Sequence, residues 1–119
     1  MPGQGPKRQV CLLDATTDET LGTPFDASQT PYVTAYVIGT GTTSSGVVTF
    51  EEADWSDTET PYAGTWSSIG TVNASDVTGG AQKASHFAAA AYRYIRPRIT
   101  TAIGGGGSVT VVLVGVGTN

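Results

Sequence analysis

Charge is scarce in this sequence, and reactive side chains are scarcer. Asp, Glu, Lys and Arg make up 13% of the 119 residues, and there is one Cys, one His and one Met. A single cysteine, Cys11, excludes an internal disulfide, and flanked by Val10 and Leu12 it reads as a small buried hydrophobe. Zinc needs about four Cys or His ligands, so Cys11 and His86 cannot supply a site. A hydrolase of the Ser/His or Cys/His kind needs a nucleophile, a base and an orienting group. His86, beside Phe87 and four alanines, reads as a packed or half-exposed side chain rather than that base. No catalytic residues are expected, no cofactor and no metal. No run approaches the roughly 18 apolar residues of a membrane span, and Met1 to Pro6 lacks the apolar centre of a secretory signal; neither membrane nor export is expected. The net charge of −4 provides no basic field for a polyanion, so nucleic acid is not an expected partner.

What is present is Gly, Thr, Ser, Ala and Val, with an apolar share of 39%. That balance suits short strands joined by tight turns around one modest core. Met1 to Pro6, with two prolines and two glycines, excludes a helix and favours an extended arm over residues 1–7, leaving 8–119 as a single domain. Arg8 to Asp14 reads as a strand, and Ala15 to Thr30 as a loop held to the body by Leu21 and Phe25. Tyr32 to Gly39 and Val47 to Glu51, separated by a Gly/Ser/Thr turn, read as an antiparallel hairpin. Thr65 to Val72 is a further strand with Trp66 inward. Ala84 to Ala91 is open between a turn of helix and a packed strand. Tyr92 to Ile99 alternates, with Ile95, Pro97 and Ile99 on one face and Arg96 and Arg98 on the other. Pro97 cannot donate to a ladder and marks an edge strand or bulge. After the Gly104 to Gly107 turn, Ser108 to Val114 completes a second hairpin. Six or seven short strands without βαβ alternation predict an all-β fold, a small antiparallel β-sandwich of jelly-roll-like form with an extended N-terminal arm.

Two clusters stand out. Glu51, Glu52, Asp54, Asp57 and Glu59 could offer carboxylates to calcium, but their spacing fits no EF-hand and a solvated loop is the favoured reading. Arg93, Arg96 and Arg98, interleaved with Tyr92 and Tyr94, hold half of the basic side chains. They suit a contact surface and equally a solubilised outer strand face. Lys7 and Arg8, at the end of the arm, are placed to pair with carboxylates of a partner.

Gly46 to Asp54 (Gly-Val-Val-Thr-Phe-Glu-Glu-Ala-Asp), Thr65 to Ile69 (Thr-Trp-Ser-Ser-Ile), Tyr92 to Thr100 (Tyr-Arg-Tyr-Ile-Arg-Pro-Arg-Ile-Thr) and Gly107 to Val114 (Gly-Ser-Val-Thr-Val-Val-Leu-Val) resemble the small β-sandwich virion proteins of tailed bacteriophages. In that group a strand ending in Phe-Glu, a Trp-containing strand and a Tyr-Ile/Val-Arg-x-Arg strand before a Gly turn recur in this order. The resemblance spans residues 46–114 and implies a head decoration (cement) protein or a tail component. It implies as partners the major capsid protein or neighbouring virion subunits, and a homo-oligomer, a trimer foremost. Its place would be the capsid surface of the virion, after synthesis in the host cytoplasm. Lys7, Arg8, Arg93, Arg96 and Arg98 are the expected partner-binding residues. Discoidin-like and other carbohydrate-binding modules are similar in carrying a Tyr-Ile-Arg strand, which makes a carbohydrate-binding or tail-associated adhesion module the alternative. Trp55 is then the candidate ligand-facing aromatic.

Overall fold

A computed structural model describes residues 7–17, 20–27, 30, 32–53, 65–88 and 94–116. They contain β1 (Lys7–Ala15), β2 (Phe25–Asp26), β3 (Tyr32–Thr40), β4 (Ser45–Ala53), β5 (Ser67–Asn73), β6 (Gln82–Ala88), β7 (Tyr94–Gly104) and β8 (Ser108–Val116), with a 3-10 segment at Ala74–Gly80. Period-two alternation sets the strand faces. In β3, Val33, Ala35, Val37 and Gly39 are buried while the residues between them point outward. In β7, Ile95, Pro97 and Ile99 are buried and Arg96 and Arg98 are not.

Two antiparallel sheets result, ordered β1-β8-β3-β6 and β2-β7-β4-β5. Strands 1 and 8, 2 and 7, 3 and 6, and 4 and 5 are hydrogen-bonded neighbours. The chain is thus a long ribbon with its apex between β4 and β5, rolled so that successive pairs alternate between sheets. This is the double-sheet jelly roll, and the all-β sandwich expected from the strand pattern is the fold observed.

The topology corrects both expected hairpins. β3 and β4 lie in different sheets, as do β7 and β8, so their glycine-rich connections cross between sheets. The crossings share one end of the sandwich and bond to each other. The Gly107 N–H donates to Thr42 O at 2.8 Å, Gly79 N–H to Gly41 O at 2.8 Å, and the buried Thr43 hydroxyl to Ala74 O at 2.7 Å. Backbone groups that a hairpin would pair locally are satisfied by segments distant in sequence. The residues of Ala84 to Ala91 that are described belong to strand β6, in register with β3 along its length. Neighbouring backbone overrides alanine's helical preference there.

Phe25 is fully buried, but Leu21 is 55% exposed and is not a plug. Its segment is held by backbone bonds, Gly22 N–H to Pro97 O at 2.8 Å and Ile99 N–H to Thr20 O at 3.1 Å. These bonds also explain how Pro97 fits an inner strand. The side of β7 that lacks a donor at Pro97 faces the two-residue β2 and this irregular segment rather than a continuous ladder.

The core between the sheets holds Phe25, Val33, Val37, Phe50, Ile99 and Leu113 at no more than 1% exposure. Cys11 belongs to it. Burial is the main cause that pushes its thiol up from 9.0 to about 12, against the Gln9 side-chain hydrogen bond, the Leu113 backbone and the Lys7 charge, which pull it down. The thiol is therefore protonated and unreactive at neutral pH. Below pH 9 it is neutral in folded and unfolded chains alike. Above that only the unfolded chain ionises, so Cys11 should erode stability by up to about 1.4 kcal/mol per pH unit until pH reaches the folded value. Melting temperature followed from below pH 9 to about pH 11 should fall more steeply for the wild type than for Cys11→Ala. Parallel slopes would show that the thiol is not desolvated.

Candidate functional site

The outer face of the β2-β7-β4-β5 sheet gathers the polar chemistry. Antiparallel register sets Glu51 of β4 opposite Arg96 of β7, and Thr49 opposite Arg98. Arg96 Nε donates to Glu51 Oε1 at 2.9 Å, and Arg98 Nη1 lies 3.9 Å from Glu51 Oε2. One carboxylate therefore serves two guanidinium groups, and these three side chains together carry one positive charge. Side-chain exposure is 12% for Glu51, 16% for Arg96 and 42% for Arg98. The Arg96 guanidinium also stacks 4.1 Å from the centroid of the Trp66 ring, a cation–π contact strengthened by partial desolvation. Trp66, expected inward, is instead half-buried against that outer-face arginine. Beside the ion pairs, the Thr49 and Thr100 hydroxyls are 2.7 Å apart.

The two arginines have different freedom. Arg96 is held by a carboxylate and an aromatic ring, and so positions the cluster. Arg98 reaches further into solvent, and its Nε is buried with no hydrogen-bond partner among the described residues. Glu51, expected both as the last residue of the strand from Val47 and as the first of an acidic run, is in β4, and its pairing with the two arginines is what the sequence does not show. Its signal was the alternation of β4 opposite the alternation of β7, readable once the two strands are known to pair.

The other expected contact residues lie elsewhere. Lys7 is the first residue of β1. Its ammonium donates to Asp26 O at 2.8 Å and sits 4.7 Å from the Phe25 ring centroid, tying β1 to β2. Arg8, opposite Val114, is on the outer face of the opposite sheet, so it and the Arg96/Arg98 cluster form two surfaces rather than one. Arg93, Trp55, Asp54, Asp57, Glu59 and the arm residues 1–6 lie outside the described residues. Glu51 and Glu52 of the acidic run are in β4. His86 is exposed on β6, its Nδ1 3.0 Å from the Thr34 hydroxyl.

No family model matches the chain, and no curated protein matches it. Among solved structures, the crystal structure of the SPBc2 prophage-derived protein YomS is similar, with a TM-score of 0.61 over 98% of both chains at 18% sequence identity. At that identity the likeness is one of fold, and it extends over the full length of the jelly roll.

Proposed function

We propose that this chain is a structural component of a tailed-bacteriophage particle, a decoration (cement) protein that binds the outside of the major capsid shell and stabilises it. The observation that carries this reading is the full-length fold likeness to a prophage-derived protein, which supports a phage origin. The order of the Phe-Glu, Trp and Tyr-Ile-Arg-x-Arg strands points the same way. On this reading the chain binds rather than catalyses. Arg98, whose side chain is more exposed than that of Arg96, is the residue that meets an acidic patch of the shell, while Glu51, Arg96 and Trp66 hold the strand face in place. Charge pairs of this kind favour association most at low salt.

Particles of the phage that encodes the chain, assembled without it, would be mixed with purified wild type or Arg98→Ala and pelleted. Wild type should co-sediment and saturate the shell, and Arg98→Ala should need about tenfold more protein at low salt, with unchanged circular dichroism. A wild-type chain that stays in the supernatant overturns the virion reading. So do glycan-array hits from a chain that ignores particles, which would favour the carbohydrate-binding module. Equal occupancy by both proteins across salt would remove Arg98 from the contact.

A further inference from the structure

The outer face of the β1-β8-β3-β6 sheet is apolar in a way that solvent-facing strands usually are not. Register turns Val10 of β1, Val112 and Val114 of β8, and Tyr32 and Tyr36 of β3 outward. Val10 is 42% exposed, Tyr32 65%, and Leu13, toward the far end of β1, 72%. Val112, at the centre of β8, is packed to 5% exposure between these residues, so the exposed apolar groups sit around a filled apolar floor, and exposed apolar surface grouped in this way marks an interaction site. The face also has a hollow of about 320 Å³ between Arg8, Tyr36, Ile38, Gln82, Val112 and Val114.

Its charges are few and oddly placed. Among the described residues, Arg8 and Asp14 are the only Lys, Arg, Asp or Glu on its outward positions. Arg8 pairs with Val114, two residues along β8 from Val112. On the other side of Val112, Asp14 donates its N–H to the hydroxyl of Thr110, two residues away, and its carboxylate accepts from the hydroxyl of Ser108, four residues away, at 3.1 Å and 3.4 Å. The placement of Asp14 depends on register shifts on both sides of Leu12 and on a left-handed backbone, φ 49°, that aspartate tolerates better than most residues. Opposite charges therefore flank the apolar row Val10–Val112–Tyr36 on its two sides, Arg8 level with Val114 and the Asp14 carboxylate beside Ser108.

We propose that this face is where two copies of the chain associate, about a two-fold axis running across the strands at that row. The axis reverses strand direction between copies, so Arg8 of each lies over Asp14 of the other and both ion pairs form at once. It brings Leu13 of each copy toward the Arg8 end of the other's hollow. The patch is self-complementary, as an isologous contact requires, whereas a partner of one charge sign would leave Arg8 or Asp14 opposed. Four strands about 4.8 Å apart and roughly 30 Å long present about 500 Å² per copy, near the lower limit for a specific interface. Association by edge pairing along β1 is opposed by the same irregularities, which interrupt its ladder. This contact does not rest on the virion reading, and it is a property of the isolated protein.

Sedimentation velocity of the full chain at tens of micromolar should show a species of twice the 12.2 kDa monomer mass. Arg8→Glu sets Glu against Asp14, and Asp14→Lys sets Lys against Arg8, so each variant alone should dissociate about tenfold more readily or worse. An equimolar mixture of the two restores both ion pairs and should dimerise like the wild type. That rescue cannot come from a folding defect. A wild type that is monomeric throughout, variants that dimerise normally alone, or a mixture no better than its components would each overturn the proposal.

Discussion

Gly39→Ala will destabilise the protein by about 3 kcal/mol or more, because the new methyl has nowhere to go. A Cβ on Gly39 would stand 2.0 Å from the Val77 carbonyl oxygen and 2.8 Å from its carbonyl carbon. Both are backbone atoms of the 3-10 segment. That segment cannot swing away, since Val77 and Ala74 are fully buried and the Ala74 carbonyl accepts the Thr43 hydroxyl. Trimming Val77 to alanine should not rescue the variant, because the clash is with the main chain. Gly79 is the control. Its φ is +75° but nothing lies within 4 Å of its missing Cβ, so Gly79→Ala should cost only about 1 kcal/mol of left-handed strain. Urea denaturation of the two variants separates the cases, and a Gly39→Ala loss no larger than that of Gly79→Ala would show that β3 and the 3-10 segment are not in close contact.

Phe50→Ala should be as damaging, by about 3–5 kcal/mol, for a different reason. Phe50 is fully buried on β4, and its ring meets Phe87 of β6, in the opposite sheet, with centroids 5.4 Å apart and planes inclined at 59°. Truncation leaves a cavity between the sheets and removes the ring contact. Phe50→Leu keeps most of the volume and should lose less than about 1.5 kcal/mol plus the ring contact. A double-mutant cycle with Phe87→Leu should give a coupling of about 0.5–1.5 kcal/mol, the part owed to the aromatic pair. A coupling near zero would mean that the rings fill space independently.

The strands were legible because alternation and side-chain type reflect burial on one face. β3 and β7 carry their inward and outward positions openly, and Ser108 to Val114 could hardly be anything else. Alternation says which side of a strand is buried, but it is silent about which strand lies beside it. Gly41, and Gly105 and Gly106, suit a hairpin and a crossing between sheets equally well, and the deciding bonds to Thr42, Ala74 and Thr78 join positions tens of residues apart. The candidate site was half legible for the same reason. Arg96 and Arg98 were found on one strand, whereas Glu51 and Trp66, which complete the cluster, come from others. Trp66 misled because a large aromatic beside a strand is usually core, and here the arginine stack provides its cover.

The rolled ribbon also governs how the chain must fold. Among the described residues only the ladder between β4 and β5 joins strands consecutive in sequence. The ladder of β1 with β8, from Lys7 opposite Gly115 to Ala15 opposite Val109, can form only when the two ends of the chain meet. Each closure loses loop entropy before its contacts repay it. Loop-closure entropy therefore predicts folding outward from the β4–β5 pair, and pairing between strands so distant in sequence predicts slow folding rather than nucleation on a local hairpin. On that order the two surfaces proposed for partners would form at different times: Arg96 and Arg98 are on β7, beside β4, while Arg8 and Asp14 would reach their places only when the ladder of β1 with β8 closes.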